Sequence, residues 1–289
     1  MTLGRSAMKI RFLLAGLASL FCCLSVQAAV VASVAQSRVQ TSWTLDGGSM
    51  TTTRAKLLDS SNFGGGGTVG EAITIDDITA LDGGALNGAD VFFMGYKDES
   101  VNPFSGAELD AIESWINGGG VAILTCDSSG YDELCDHFGQ PTVAGATNPW
   151  VVTPDFDNSP LFDGPFGQIS GALMWGDYSS YAGGDGWATL AVDSSGSDRP
   201  FIIGQQYGNG AIIMVGDVDT LSNNTLSGGT GISNDNDVWM GNLFAAAING
   251  VSGLEPPVEV PVPTMGPAGL VTLLALMLLV GGVAVRRFA

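Results

Sequence analysis

Basic residues are nearly missing from the body of this chain, and histidine is nearly missing altogether. Of the 10 basic residues, five lie within the first 11 or the last four positions. The rest of the chain sets five basic residues against 29 acidic ones, a net charge of −24. Nucleic-acid recognition needs clustered Lys and Arg, so that class of partner is excluded. Such a charge keeps a protein soluble and repels anionic surfaces, while admitting divalent cations. The single histidine, His137, leaves no His/Cys cluster at zinc-ligand spacing. It also leaves any nucleophile only one imidazole partner in the chain. The glycine run 64–67 is not followed by Gly-Lys-Ser/Thr, so it is no phosphate loop. Cysteine is scarce too, with four residues, two of them (Cys22 and Cys23) in the first segment. Leu20 and Phe21 stand before that pair where a lipoprotein would carry small residues, so lipidation is not expected. Cys126 and Cys135 remain, and in an oxidising compartment a pair this close invites a disulfide.

What is present at the two ends reads as an address. Arg5, Lys9 and Arg11 precede an uncharged apolar run, Phe12 to Val26, and then Gln27 and Ala28. This is the layout of a secretory signal peptide, 1–28, and the run is short for a bilayer span. At the other end, the proline-rich stretch from Glu255 to Pro263 can form neither helix nor central strand and reads as a stiff linker. Residues 266–285 carry no charge, enough chain to cross a hydrocarbon core, and Arg286 and Arg287 follow. The positive-inside rule places those arginines and the tail 286–289 in the cytoplasm and the body outside. The expected organisation is therefore a signal peptide, a body (29–254), a linker with a sorting motif (255–265) and one transmembrane helix (266–285).

Val262-Pro263-Thr264-Met265, the apolar helix and the terminal arginine pair resemble an IPTL-CTERM tail, a relative of the PEP-CTERM sorting signals. The resemblance implies an exosortase-type membrane transpeptidase as partner and an association with extracellular polysaccharide. Gly266-Pro267-Ala268-Gly269 stands where the family usually has Ser-Glu-Trp-Gly. A permanent membrane anchor is the other reading of the same segment.

The body alternates strand and helix. Strands are expected at 29–34, 72–75, 89–95, 121–125, 200–205 and 211–215, with helices at 50–60, 105–117, from near Tyr131 to Gly139, and 237–249. Ser105 and Glu108 form a capping-box pair, Leu109, Ile112 and Ile116 make an apolar stripe, and Gly118 to Gly120 end that helix. Continuous apolar runs such as Val91-Phe-Phe-Met94 suit strands buried on both faces. Residues 140–198, rich in Gly, Pro, Asn, Asp and Ser, read as an irregular insertion of loops and short strands, a flap over one sheet edge. The fold class expected is α/β, a three-layer open and mostly parallel sheet.

The segment ADVFFMGY…FSGAELDAIESWINGGGVAILTCD, with the later YGNGAIIMVGDVDTLSN and closing helix, is similar to the class I glutamine amidotransferase-like superfamily. In active members, the resemblance would make Cys126 the catalytic cysteine. Independently, Cys126 lies between a strand and a helix, where an elbow can expose a nucleophile. Leu124 stands where that elbow wants a small residue, and no late histidine matches the family's base. The other reading of Cys126 is a strand-end cysteine paired with Cys135 or simply buried. His137 reads as an exposed helix-end histidine. Because open α/β sheets bind ligands beyond the carboxyl ends of their strands, Tyr96, Lys97, Asp127, Asp217 and Asp219 are the expected floor of a ligand site. Asp235 and Asp237 supply hard oxygen ligands of the kind Ca2+ prefers, although Asp237 is equally placed to cap the last helix. No other cofactor is implied. The sequence thus points to an exported, envelope-anchored acidic protein with a non-catalytic binding or scaffolding domain. A hydrolase using Cys126 or a strand-end carboxylate pair, or a calcium-stabilised matrix component, are the alternatives.

Overall fold

Five parallel strands make one half of the sheet; four are largely apolar runs that the tertiary structure buries on both faces, and the edge strand, Ile73-Thr-Ile-Asp-Asp-Ile78, is mostly exposed. The five are β1 (Ala29–Val34), β2 (Ile73–Ile78), β3 (Val91–Met94), β4 (Val121–Thr125) and β11 (Gly210–Val215), parallel in the order β2-β1-β3-β4-β11. Successive side chains point to opposite faces, so each strand feeds two cores. Val121 and Ile123 of β4 join one core with Phe93 and Ile213, whereas Ala122 and Leu124 join the other with Phe92 and Ile212. The computed structural model describes residues 28–98, 101–127, 133–145, 149–176, 178–184, 186–195 and 199–254. The expected signal peptide up to residue 27, the linker, the sorting motif and the apolar segment 266–285 lie outside the described residues. Among the described residues, no helix is long and apolar enough to cross a membrane.

Helices cover both faces. On one lie α1 (Thr51–Leu58) and α4 (Asp235–Ile248), which place Leu57, Trp239, Leu243 and Phe244 in the first core. On the other lie α2 (Gly106–Asn117) and α3 (Glu133–His137), which contribute Ile112, Ile116, Leu134 and Cys135 to the second. Full burial of one such aliphatic side chain is worth about 1.5–3 kcal/mol. The expected start of α2 is present: the Ser105 hydroxyl accepts the Glu108 amide at 3.3 Å, and the Ser105 amide donates to Glu108 Oε2 at 2.8 Å. Ser105→Ala should therefore cost about 1 kcal/mol in urea unfolding. A loss below about 0.3 kcal/mol would mean that packing alone fixes the helix start.

Two expectations are corrected. The short strands expected within 140–198 are present, but several pair into the main sheet instead of lying over its edge as a flap. The insertion supplies β6 (Trp150–Val152), β7 (Gly171–Ala172) and β9 (Ala188–Asp193), which with β10 (Pro200–Tyr207) extend the sheet as β11-β10-β9-β6-β7, antiparallel throughout. The nine-stranded sheet is thus mixed, with a parallel half and an antiparallel half. A smaller pair, β5 (Thr142–Gly145) with β8 (Tyr178–Tyr181), lies beside it. Gly208, at a φ of 61°, forms the tight turn between β10 and β11. The second correction concerns α4. Its N-cap is Asn234, and Asp237 is the third helical residue, completing a capping box with it.

Candidate functional site

The carboxyl ends of β3, β4 and β11 carry the expected floor residues, and the structure divides them into two groups. Gly95 follows β3, and a Cβ there would lie 2.0 Å from the Trp43 carbonyl oxygen, so only glycine lets the strand end pass under that loop. Tyr96 then meets the Trp43 ring edge-on at 6.1 Å. The Trp43 indole N–H reaches across to Asp219 Oδ1 at 3.0 Å, which also accepts the Ser222 hydroxyl at 2.6 Å and the Asn224 amide at 2.9 Å. Asp217 is fully buried; Oδ2 accepts the Trp175 amide at 2.9 Å and Oδ1 the Asp219 amide at 2.6 Å. The Val218 amide points to Asp127 Oδ2 at 3.4 Å, so the end of β4 joins the same patch. Tyr96, Asp127 and Asp219 are half-buried, while the Trp175 side chain is 58% exposed beside them. Burial, more than the neighbouring Asp219 charge, pushes the Asp217 carboxyl up to about 7 against the pull of its two amide donors.

Lys97 belongs to the second group, with Cys126. It is almost fully buried, and its ammonium pairs with Glu133 of α3 at 3.1 Å. Cys126 is also buried, and its sulfur is joined to that of Cys135, with Cα atoms 6.4 Å apart, within the range of disulfides. The cavity lined by Met94, Lys97, Phe104, Cys126 and Glu133 measures about 10 Å3, room for no more than one water.

His137, expected at an exposed helix end, is half-buried and engaged elsewhere. Its Nε2 lies 2.8 Å from Glu113 Oε2, and the Tyr207 hydroxyl donates to Glu113 Oε1. The Tyr207 and His137 contacts hold the Glu113 carboxyl below its usual range. Asp110, one helical turn before Glu113, brings a third donor to within 4.8 Å of the other two. The sequence reading missed Asp110, Glu113 and Tyr207; their one visible signal was an acidic pair at i, i+3 on a helix. Of the expected calcium ligands, Asp235 is exposed, whereas Asp237 is fully buried and already accepts from Lys56, Ser227, Ser233 and Asn234. A cleft of about 550 Å3 opens at the opposite end of the sheet beside Asp90, Trp115, Gly119 and Val121. There the Asp90 carboxylate accepts the Val30 amide at 2.8 Å. Amino ends of parallel strands are not where such sheets place ligands, so the carboxyl-end patch remains the candidate.

No family model matches the chain. Comparison with curated proteins likewise finds no match. Among solved structures, the chain is similar to the mmIFT52 N-terminal domain, with a TM-score of 0.56 at 12% identity over 78% of this chain and 100% of that one. A ThuA-like protein from Bacteroides uniformis gives 0.48 at 12% identity, covering 76% of this chain and 90% of that one. The β-galactosidase from Bacillus circulans sp. alkalophilus gives 0.47 at 13% identity over 77% of this chain, but only 31% of the enzyme. Identities this low speak for fold and not for activity.

Proposed function

We propose that the chain is an exported, envelope-held protein whose amidotransferase-like domain binds or scaffolds rather than catalyses. The observation that carries this reading is the state of Cys126. A thiol nucleophile must be free, accessible and next to a base. Here the sulfur is joined to Cys135, Cys126 is buried beside a cavity of only about 10 Å3, and the sole histidine is paired with Glu113. Binding falls instead to the carboxylate patch of Asp127, Asp217 and Asp219, flanked by Tyr96 and the exposed Trp175. A structural disulfide also suits the oxidising side of a membrane, where the signal-peptide reading sends this domain. The IPTL-CTERM-type tail would then either be processed by an exosortase-type transpeptidase, releasing the domain to extracellular polysaccharide, or hold it permanently in the inner membrane with its body in the periplasm.

The test is the intact mass of protein recovered from its native envelope, with and without reduction before alkylation. Loss of the first 28 residues, with Cys126 and Cys135 alkylated only after reduction, is the expected result. A tail missing from that mass supports sorting, and a retained tail supports the permanent anchor. Free alkylation of Cys126 without reduction would overturn the non-catalytic reading in favour of a thiol hydrolase.

A further inference from the structure

We propose that Asp110 and Glu113 of α2 and His137 of α3 form a binding site for a first-row divalent cation such as Zn2+, separate from the carboxyl-end patch. One ligand atom from each residue lies within 4.8 Å of the other two, close enough for a shared ion. The donor set is one imidazole nitrogen and two carboxylate oxygens, which suits zinc and its neighbours better than calcium, an ion that prefers oxygen alone. Three protein ligands leave at least one coordination position for water or for a group on a partner.

Three features prepare the site. Asp110 and Glu113 are one turn apart on a capped twelve-residue helix, so they share a face. The Tyr207 hydroxyl, from β10, holds the far oxygen of Glu113 and leaves Oε2 turned toward His137. Such outer partners orient ligands and sharpen affinity. His137 sits on a five-residue helix, too short to be stable alone, and the disulfide at Cys135, two residues earlier, ties that helix to the end of β4. The strongly acidic body raises the local concentration of cations around all three residues. The site does not depend on the binding-module reading, since it uses none of that patch's residues.

The experiment is calorimetric titration of the full-length, untagged chain with Zn2+, and separately with Ca2+, alongside visible spectroscopy of the Co2+ form. The expected result is one Zn2+ per chain, with affinity weakened at least tenfold in His137→Ala and in Glu113→Gln, and with the Co2+ absorption changed in both. Asp110→Asn, at an exposed position, should weaken binding without disturbing the fold, and it decides the matter if either other variant fails to fold. Absence of a saturable one-to-one Zn2+ isotherm would overturn the proposal. So would unchanged affinity in the variants, or Ca2+ binding as tight as Zn2+, which would mark general attraction to an acidic surface.

Discussion

Replacing Lys56 by methionine should lower the stability of the domain by about 3–5 kcal/mol, the cost of stranding one member of a buried ion pair. Lys56 on α1 and Asp237 on α4 are both fully buried, with Nζ 3.3 Å from Oδ1. The ammonium also donates to the Ser227 hydroxyl at 3.2 Å and to the Gly231 carbonyl. Asp237 in turn accepts the amides of Ser227, Ser233 and Asn234 at 3.1, 2.8 and 3.2 Å. The pair therefore locks the loop before α4 to α1 beneath the sheet. Methionine fills much of the same volume but leaves an uncompensated carboxylate among amides that need an acceptor. Asp237→Asn removes the negative charge, so the double variant Lys56→Met/Asp237→Asn should recover part of the loss. Urea unfolding of the four proteins measures both quantities. A loss below about 1 kcal/mol in Lys56→Met would show that the pair is not the lock described.

Stability should also fall as the pH rises from about 4 to about 7, and the cause is Asp217. Its carboxyl is pushed up to about 7 in the fold, while in the unfolded chain it titrates near 3.9. Between those values the folded state holds a proton that the unfolded state has released. The unfolded state therefore gains relative to the fold at about 1.4 kcal/mol per pH unit, about 4 kcal/mol over the whole window. The carboxyls held low, Glu108, Glu113 and Asp59, act in the opposite sense, and below about pH 4.5, so the two effects separate on the pH axis. Asp217→Asn should flatten the slope between pH 4.5 and 7. The slope is the proper readout, because asparagine can accept from only one of the Trp175 and Asp219 amides and so carries a constant cost. Melting temperatures of both proteins across this range provide the measurement. An equal slope in the variant would place the buried proton elsewhere.

Local chemistry was enough to reveal much of the parallel half of the sheet. Val91 to Met94 and Val121 to Thr125 are apolar at nearly every position because helices cover both sheet faces, and a two-sided strand has no alternation to hide it. Ser105 and Glu108 announced the start of α2 because a capping box is made of residues three apart. In the antiparallel half β10 was legible, as the partner of β11 across a glycine turn, but the outer strands were not, for the opposite reason. β6 has three residues and β7 two, shorter than any pattern can register, and they become strands only because β9 and the core around Trp150 offer them partners. Trp150 is fully buried against Phe162, Phe201 and Trp239, residues far from it in the chain.

The candidate sites divide along the same line. The strand-end rule located Tyr96, Lys97, Asp127, Asp217 and Asp219 from sequence, since a strand's end is a local feature. Which way each side chain turns was decided by the tertiary structure: Lys97 toward Glu133 and the disulfide, Asp217 into the core, and Asp219 to the Trp43 indole. The cluster of Asp110, Glu113 and His137 joins two helices separated by a strand, so no local spacing could reveal it. The sequence by itself determined the acidic body, the alternation of strand and helix, and the closeness of Cys126 to Cys135 along the chain. The structure decided what lies across from what, because pairing, burial and the pKa of a buried acid depend on neighbours brought in from distant parts of the chain.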